Sequence, residues 1–147
     1  MYKSKYFKAY ELVPADIFNK RGEAALELID PRLLITLDQL REKLQKPITI
    51  NNYKWNGAFS QRGLRSRSFY KSDKDYQDSL SQHKYGRAVD FDVKGMTAQQ
   101  VREFIHANRS MFPYITFIET DVNWVHVDVR NGDYRIWSPT RGFVNVP

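Results

Sequence analysis

The sequence has no cysteine among its 147 residues and only three histidines. The first absence excludes disulfides, thiolate zinc sites, iron–sulfur clusters and cysteine nucleophiles. The second confines any metal site to histidine and carboxylate ligands. No apolar run approaches the roughly 20 residues needed to cross a bilayer, so stable membrane insertion is not expected. Seven glycines and six prolines are too few for a collagen-like or low-complexity chain, and 14% aromatic residues argue against intrinsic disorder. Met1-Tyr2-Lys3-Ser4-Lys5-Tyr6 carries positive charge with no apolar segment behind it, unlike a secretory signal. The expectation is a protein made in the cytoplasm that needs another agent to leave it.

What is present is the composition of one globular domain, 41% hydrophobic and 27% charged. Lysine and arginine outnumber aspartate and glutamate by 23 to 17, a net charge of +6 that favours anionic partners: nucleic acid, phosphate-bearing lipid or an acidic wall polymer. No nucleic-acid motif accompanies the charge. The basic stretch Arg62, Arg65, Arg67, Lys71 and Lys74 is diluted by Asp73, Asp75 and Asp78.

Along the chain, residues 1–29 lack periodicity and read as an extended arm packed on the domain. Asp30-Pro31 predicts a helix start, since Asp30 can cap free N–H groups and Pro31 sits where no donor is missed. Leu33, Leu34, Leu37, Leu40 and Leu44 then form one apolar stripe, ended by Pro47. Ile48-Thr49-Ile50 reads as a short strand and residues 51–82 as a long functional loop. Ala88–Val93 alternates, with Val89, Phe91 and Val93 on one face and Asp90 and Asp92 on the other. Thr97 and Gln100 form a capping box for a second helix carrying Val101, Phe104 and Ile105. Two strands follow, 114–120 and 124–130. The elements predict one α+β domain with a core over 30–130.

Two clusters carry chemistry. In one, His83 precedes Gly86 and the strand that bears Asp90; the glycine permits a tight bend that returns the histidine over that strand. In the other, His126 and Asp128 alternate with valines and share one face. With both strands in one sheet, His83, Asp90 and His126 supply three ligands for zinc and leave its fourth position open. Spacing alone also allows structural histidines and solvated aspartates. Ser81 reads as a local loop bond, Trp124 as a groove or half-buried strand aromatic, and His106 as solvent-facing.

Ser81-Gln82-His83-Lys84-Tyr85-Gly86-Arg87-Ala88-Val89-Asp90 resembles the Ser-x-His-x-x-Gly-x-Ala-x-Asp signature of the D-alanyl-D-alanine carboxypeptidase-like zinc peptidases, and Trp124-Val125-His126-Val127-Asp128 resembles the family's second signature. That family has the hedgehog/DD-peptidase fold and includes many phage endolysins. Arg62-Gly63-Leu64-Arg65-Ser66 is similar to its Gly-x-Arg-Ser element. Asp30–Leu34 and Pro47–Asn52 look like the lead-in of its small phage-borne members. The likeness spans about residues 25–130.

The resemblance implies a single peptidase domain over 1–147, with a mainly antiparallel sheet flanked by helices. It implies zinc on His83, Asp90 and His126, with Arg65 at the substrate-binding position. Many members carry the general base three residues before the second histidine, and here that position is Asn123. Glu119, seven residues before His126, fits the other arrangement found in the fold. Asp128 is the second candidate, either as base or as a group orienting an imidazole, and Asp121 is third, more simply a turn residue. The implied activity is hydrolysis of peptidoglycan peptide stems, D-Ala–D-Ala carboxypeptidase-like or L-Ala–D-Glu endopeptidase-like. The implied setting is a monomeric, bacteriolytic phage endolysin that reaches the wall from the host cytoplasm through holin pores. The alternative, motivated by Asn123, is an inactive zinc-containing wall-binding or virion-associated structural module.

Overall fold

Local chemistry begins the longest helix. Asp30 Oδ1 accepts from the Arg32 amide at 2.9 Å, Pro31 occupies the first turn, and Gln45 closes the helix in the left-handed conformation at φ 52°. The computed structural model describes residues 1–147. Its α-helices are α1 (Ala9–Leu12), α2 (Ala15–Arg21), α3 (Pro31–Leu44), α4 (Asp73–Asp78) and α5 (Ala98–Ala107). Its strands are β1 (Ile48–Thr49), β2 (Ala88–Val93), β3 (Phe117–Glu119), β4 (Val125–Asp128), β5 (Arg135–Ser138) and β6 (Gly142–Val144). No helix is long and apolar enough to cross a membrane.

The six strands form one sheet in the order β1-β2-β4-β3-β5-β6, antiparallel at every junction except β3–β5. The architecture is α+β in a single domain. Strand alternation gives the sheet two unlike faces. Val89, Phe91 and Val93 of β2, Val125 and Val127 of β4 and Ile118 of β3 join the α3 leucines and Val101 and Ile105 of α5 in one apolar cluster. The opposite face carries Asp90, Glu119, His126 and Asp128.

The capping box of α5 forms as the sequence predicts, with Thr97 Oγ1 accepting from Gln100 N at 3.1 Å and Gln100 Oε1 from Thr97 N at 2.9 Å. The N-terminal residues differ from the expectation. They form short helices rather than an extended arm: α1, α2 and a 3₁₀ helix at Gly22–Leu28, in a segment that buries Phe7, Ala9, Leu12, Val13 and Ala25 in the core. Helices this short are not stable alone, so they carry no periodic signal, and packing holds them. Asp38 of α3 anchors the extreme end, accepting from the Tyr2 and Ser4 hydroxyls and from the Lys5 and Tyr6 amides. At the other terminus, β5 and β6 extend the sheet beyond the anticipated core, while β3 and β4 are shorter than 114–120 and 124–130.

Candidate metal centre

Strand register assembles most of the site. Asp90 on β2 lies directly opposite His126 on β4, and Glu119 on β3 lies opposite His126 from the other side. Trp137 on β5 pairs with Glu119, and Phe143 on β6 pairs with Trp137. Directly opposed residues point to the same face, so Asp90, His126, Glu119, Trp137 and Phe143 form one row across five strands. Ala88, Asp128, Phe117 and Arg135 form the next row.

His83 comes from outside the sheet. It sits in a 3₁₀ turn, Gln82–Tyr85, that Gly86 ends at φ +69°. A Cβ on Gly86 would lie 2.2 Å from the Leu28 carbonyl oxygen, so both the conformation and the close approach require glycine. Residues 62–65 tie this turn to the sheet although they form no strand. Asp90 N donates to Arg62 O at 2.7 Å and Arg65 N to His83 O at 3.0 Å. The ring of His83 contacts Gly63 O through Nδ1 at 2.8 Å.

Those contacts assign the protons. A carbonyl only accepts, so His83 Nδ1 carries the hydrogen and Nε2 presents its lone pair inward. Nε2 lies 3.4 Å from Asp90 Oδ1, and His126 Nδ1 lies 2.8 Å from the same oxygen. On its far side, His126 Nε2 lies 3.0 Å from Asp128 Oδ2. One potential ligand atom from each of His83, Asp90 and His126 falls within 4.8 Å of the others. Tetrahedral ligands about 2.0–2.1 Å from zinc stand about 3.4 Å apart; the His83–Asp90 spacing matches this, and small shifts of the His126 ring would bring the third ligand into the set. The carboxylate–imidazole pair Asp128–His126 is the outer arrangement that fixes the tautomer of a metal-bound histidine. These three buried residues can bind a metal ion.

Without an ion, His126 sits between two carboxylates. Burial alone would lower its pKa, but hydrogen bonds to Asp128 and Asp90 outweigh it and raise the value to about 9. Burial pushes the Asp90 carboxyl up, and hydrogen bonds to His126 and His83 pull it further down, so the net direction is downward. His83 is lowered, chiefly by burial. The Asp90 and Asp128 carboxylates on either side thus favour the protonated form of His126.

Glu119 and Asp128 have different surroundings. Glu119 lines a cavity of about 490 Å³ shared with His83, Asp90 and His126, and desolvation raises its carboxyl pKa. No hydrogen bond within the protein restrains it, which suits a group that must take and release a proton. Asp128 is fully buried and accepts from Arg130 Nε at 2.8 Å and Nη2 at 2.6 Å besides facing His126. Its oxygens are occupied, so its place is to orient His126 rather than to exchange protons with solvent. Arg65 reaches the cavity with Nη2 3.3 Å from Asp90 Oδ2, its Nε bonded to Gln61 O and its plane over Phe69.

The readings of Ser81 and His106 change, while those of Asp121 and Trp124 gain detail. Ser81 makes no side-chain cap bond and lines the cavity instead. His106 is half-buried, its Nδ1 2.5 Å from the Tyr134 hydroxyl, because α5 packs against the chain before β5. Asp121 is a turn residue at φ +63°, and it also binds Ser138 and Arg141, fastening the β3–β4 turn to the β5–β6 hairpin. Trp124 lines the cavity, as do Phe117, Arg130, Trp137 and Phe143. The last four had no motif to announce them; the alternation of Val125, Val127 and Val129 was the only cue that Arg130 returns to the His126 face. Comparison with family models, with curated proteins and with solved structures finds no match to this chain.

Proposed function

We propose that this protein is a zinc-dependent peptidase that cuts the peptide stems of bacterial peptidoglycan. The observation that supports it most is the row Asp90–His126–Glu119, with His83 brought over it: two imidazoles and a carboxylate converge beside an unrestrained glutamate in an open cavity. The two sequence motifs that resemble zinc peptidases meet at this point, and choosing zinc among divalent ions rests on that resemblance. The hedgehog/DD-peptidase fold and the role of a phage endolysin, acting on the wall after release from the host cytoplasm, rest on it too.

Bound zinc would supply Lewis acidity, polarising a carbonyl and acidifying water. Glu119 accepts the proton of the attacking water and returns it to the leaving amine as the C–O bond forms and the C–N bond breaks. Asp128 keeps the Nε2 proton of His126 in place, leaving Nδ1 free as a ligand. Arg65 donates to the substrate carbonyl oxygen as charge develops there. Asn123 is exposed in the β3–β4 turn.

Purified protein incubated with peptidoglycan should release new amino termini, lose that activity to a chelator and regain it with zinc. Tight zinc binding without any release would instead favour the inactive wall-binding or structural module.

A further inference from the structure

Arg130 follows β4 and lines the same cavity as the cluster. Its guanidinium is held rigidly. Nε and Nη2 bond the two oxygens of buried Asp128, and Cζ lies over the Phe117 ring, 3.7 Å from its centroid. Nη1 has no hydrogen-bond partner within the protein. A long side chain normally loses rotamer freedom when it grips a ligand, and here that freedom is already gone.

Its position relative to the cluster is equally constrained. Asp128 Oδ2 receives Arg130 Nη2 and also faces His126 Nε2, so the guanidinium and the imidazole share one oxygen. That places the free edge of Arg130 no more than about 12 Å from the metal position, a reach of about three residues of extended peptide at roughly 3.3–3.6 Å per residue. Charge points the same way. Three carboxylates (Asp90, Glu119, Asp128) face two guanidiniums (Arg65, Arg130), so a divalent ion leaves one positive charge over. Phe117, Trp137 and Phe143 supply an apolar wall that strengthens a charged contact beside it.

We propose that the free edge of Arg130 binds a carboxylate of the substrate within about three residues of the bond that is cut, making Arg130 a specificity-determining residue. The inference rests on the peptidase reading above. A guanidinium edge matches a planar carboxylate in geometry and charge, and an amide in its place loses the charge-assisted bond. The carboxylate has two possible sources in a wall peptide, the chain terminus or an internal carboxyl group.

The test uses the zinc-loaded 147-residue chain and three probes. These are a disaccharide–tetrapeptide with all carboxyls free, the same molecule amidated at its C-terminus, and the same molecule amidated at its internal carboxyl. Calorimetry in a Glu119→Gln background measures binding without turnover, and hydrolysis is followed with Glu119 intact. One amidated probe should bind about 10- to 100-fold more weakly than the free acid, and which one identifies the source. Arg130→Gln should erase the difference and raise KM while leaving kcat within a few-fold; Arg130→Lys should restore part of it. The acid–amide comparison of KM with Glu119 and Arg130 both intact needs no variant to fold. The proposal is overturned if that protein binds acid and amides alike, or if Arg130→Gln keeps the preference. Hydrolysis without discrimination removes this subsite and leaves the peptidase reading standing. Selective, Arg130-dependent binding without hydrolysis removes the peptidase reading and leaves the subsite. Absence of both overturns both.

Discussion

Replacing Asp128 by alanine isolates the contribution of a group that never touches the ion. The carboxylate is fully buried and serves two partners, His126 Nε2 at 3.0 Å and the guanidinium of Arg130. With it gone, nothing retains the proton on Nε2, and the tautomer with Nδ1 protonated, which cannot bind metal, becomes equally accessible. Loss of such an outer partner weakens metal binding by about 10- to 100-fold, or about 1.4–2.7 kcal/mol. A second cost falls on folding, since Arg130, with 29% of its side chain exposed, loses its only anion. Solvent screens part of that loss, and about 1–2 kcal/mol remains. The two effects separate experimentally. Zinc affinity is read by competition with a chromogenic chelator at neutral pH, and metal-free stability by urea unfolding. Asp128→Asn, which keeps one acceptor, should fall between alanine and the native residue in both. Zinc binding by Asp128→Ala within twofold of the unaltered protein would refute the orienting role.

Three further outcomes are expected. Glu119→Gln should lower hydrolysis by about 10²- to 10⁴-fold with zinc stoichiometry unchanged by mass spectrometry; retained turnover would place the base elsewhere. In metal-free protein the His126 imidazole, followed by NMR, should titrate near pH 9. Its folded pKa lies above the unfolded 6.5, so its stabilisation, on the order of 3 kcal/mol at most, is complete below pH 6.5 and lost as pH rises through 9. Zinc affinity should rise over the same interval because binding expels that proton; a pH-independent affinity would contradict it. Gly86→Ala should destabilise by well over the ~1–2 kcal/mol of left-handed strain alone, because its Cβ meets Leu28 O at 2.2 Å. Gly95→Ala, at φ +79° with nothing within 4 Å, should show that strain alone in urea unfolding.

Much of this was legible without coordinates. Alternation in Ala88–Val93 and Val125–Asp128 assigns Asp90 and His126 to polar faces, because adjacent strand residues point opposite ways wherever the strand lies. Asp30-Pro31, the leucine stripe and Thr97/Gln100 define two helices through local bonding that needs no partner. Gly86 marks a left-handed bend. Each of these depends on neighbours a few residues away.

Tertiary structure decided the rest. Only the pairing register sets Glu119 and Asp90 on either side of His126, and a shift of one residue would turn either carboxylate to the apolar face. The parallel β3–β5 contact, which brings Trp137 and Phe143 to the cavity, joins segments with no shared pattern. The short helices within residues 9–28 are held by packing, with Ala9, Leu12 and Ala25 buried and Ile17 and Phe18 partly buried against the core. The division of labour between Glu119 and Asp128 follows from what surrounds each: open cavity and no fixed partner for one, and for the other full burial against Arg130 and His126. Identical side-chain chemistry is separated by environment, and environment is a long-range property of the chain.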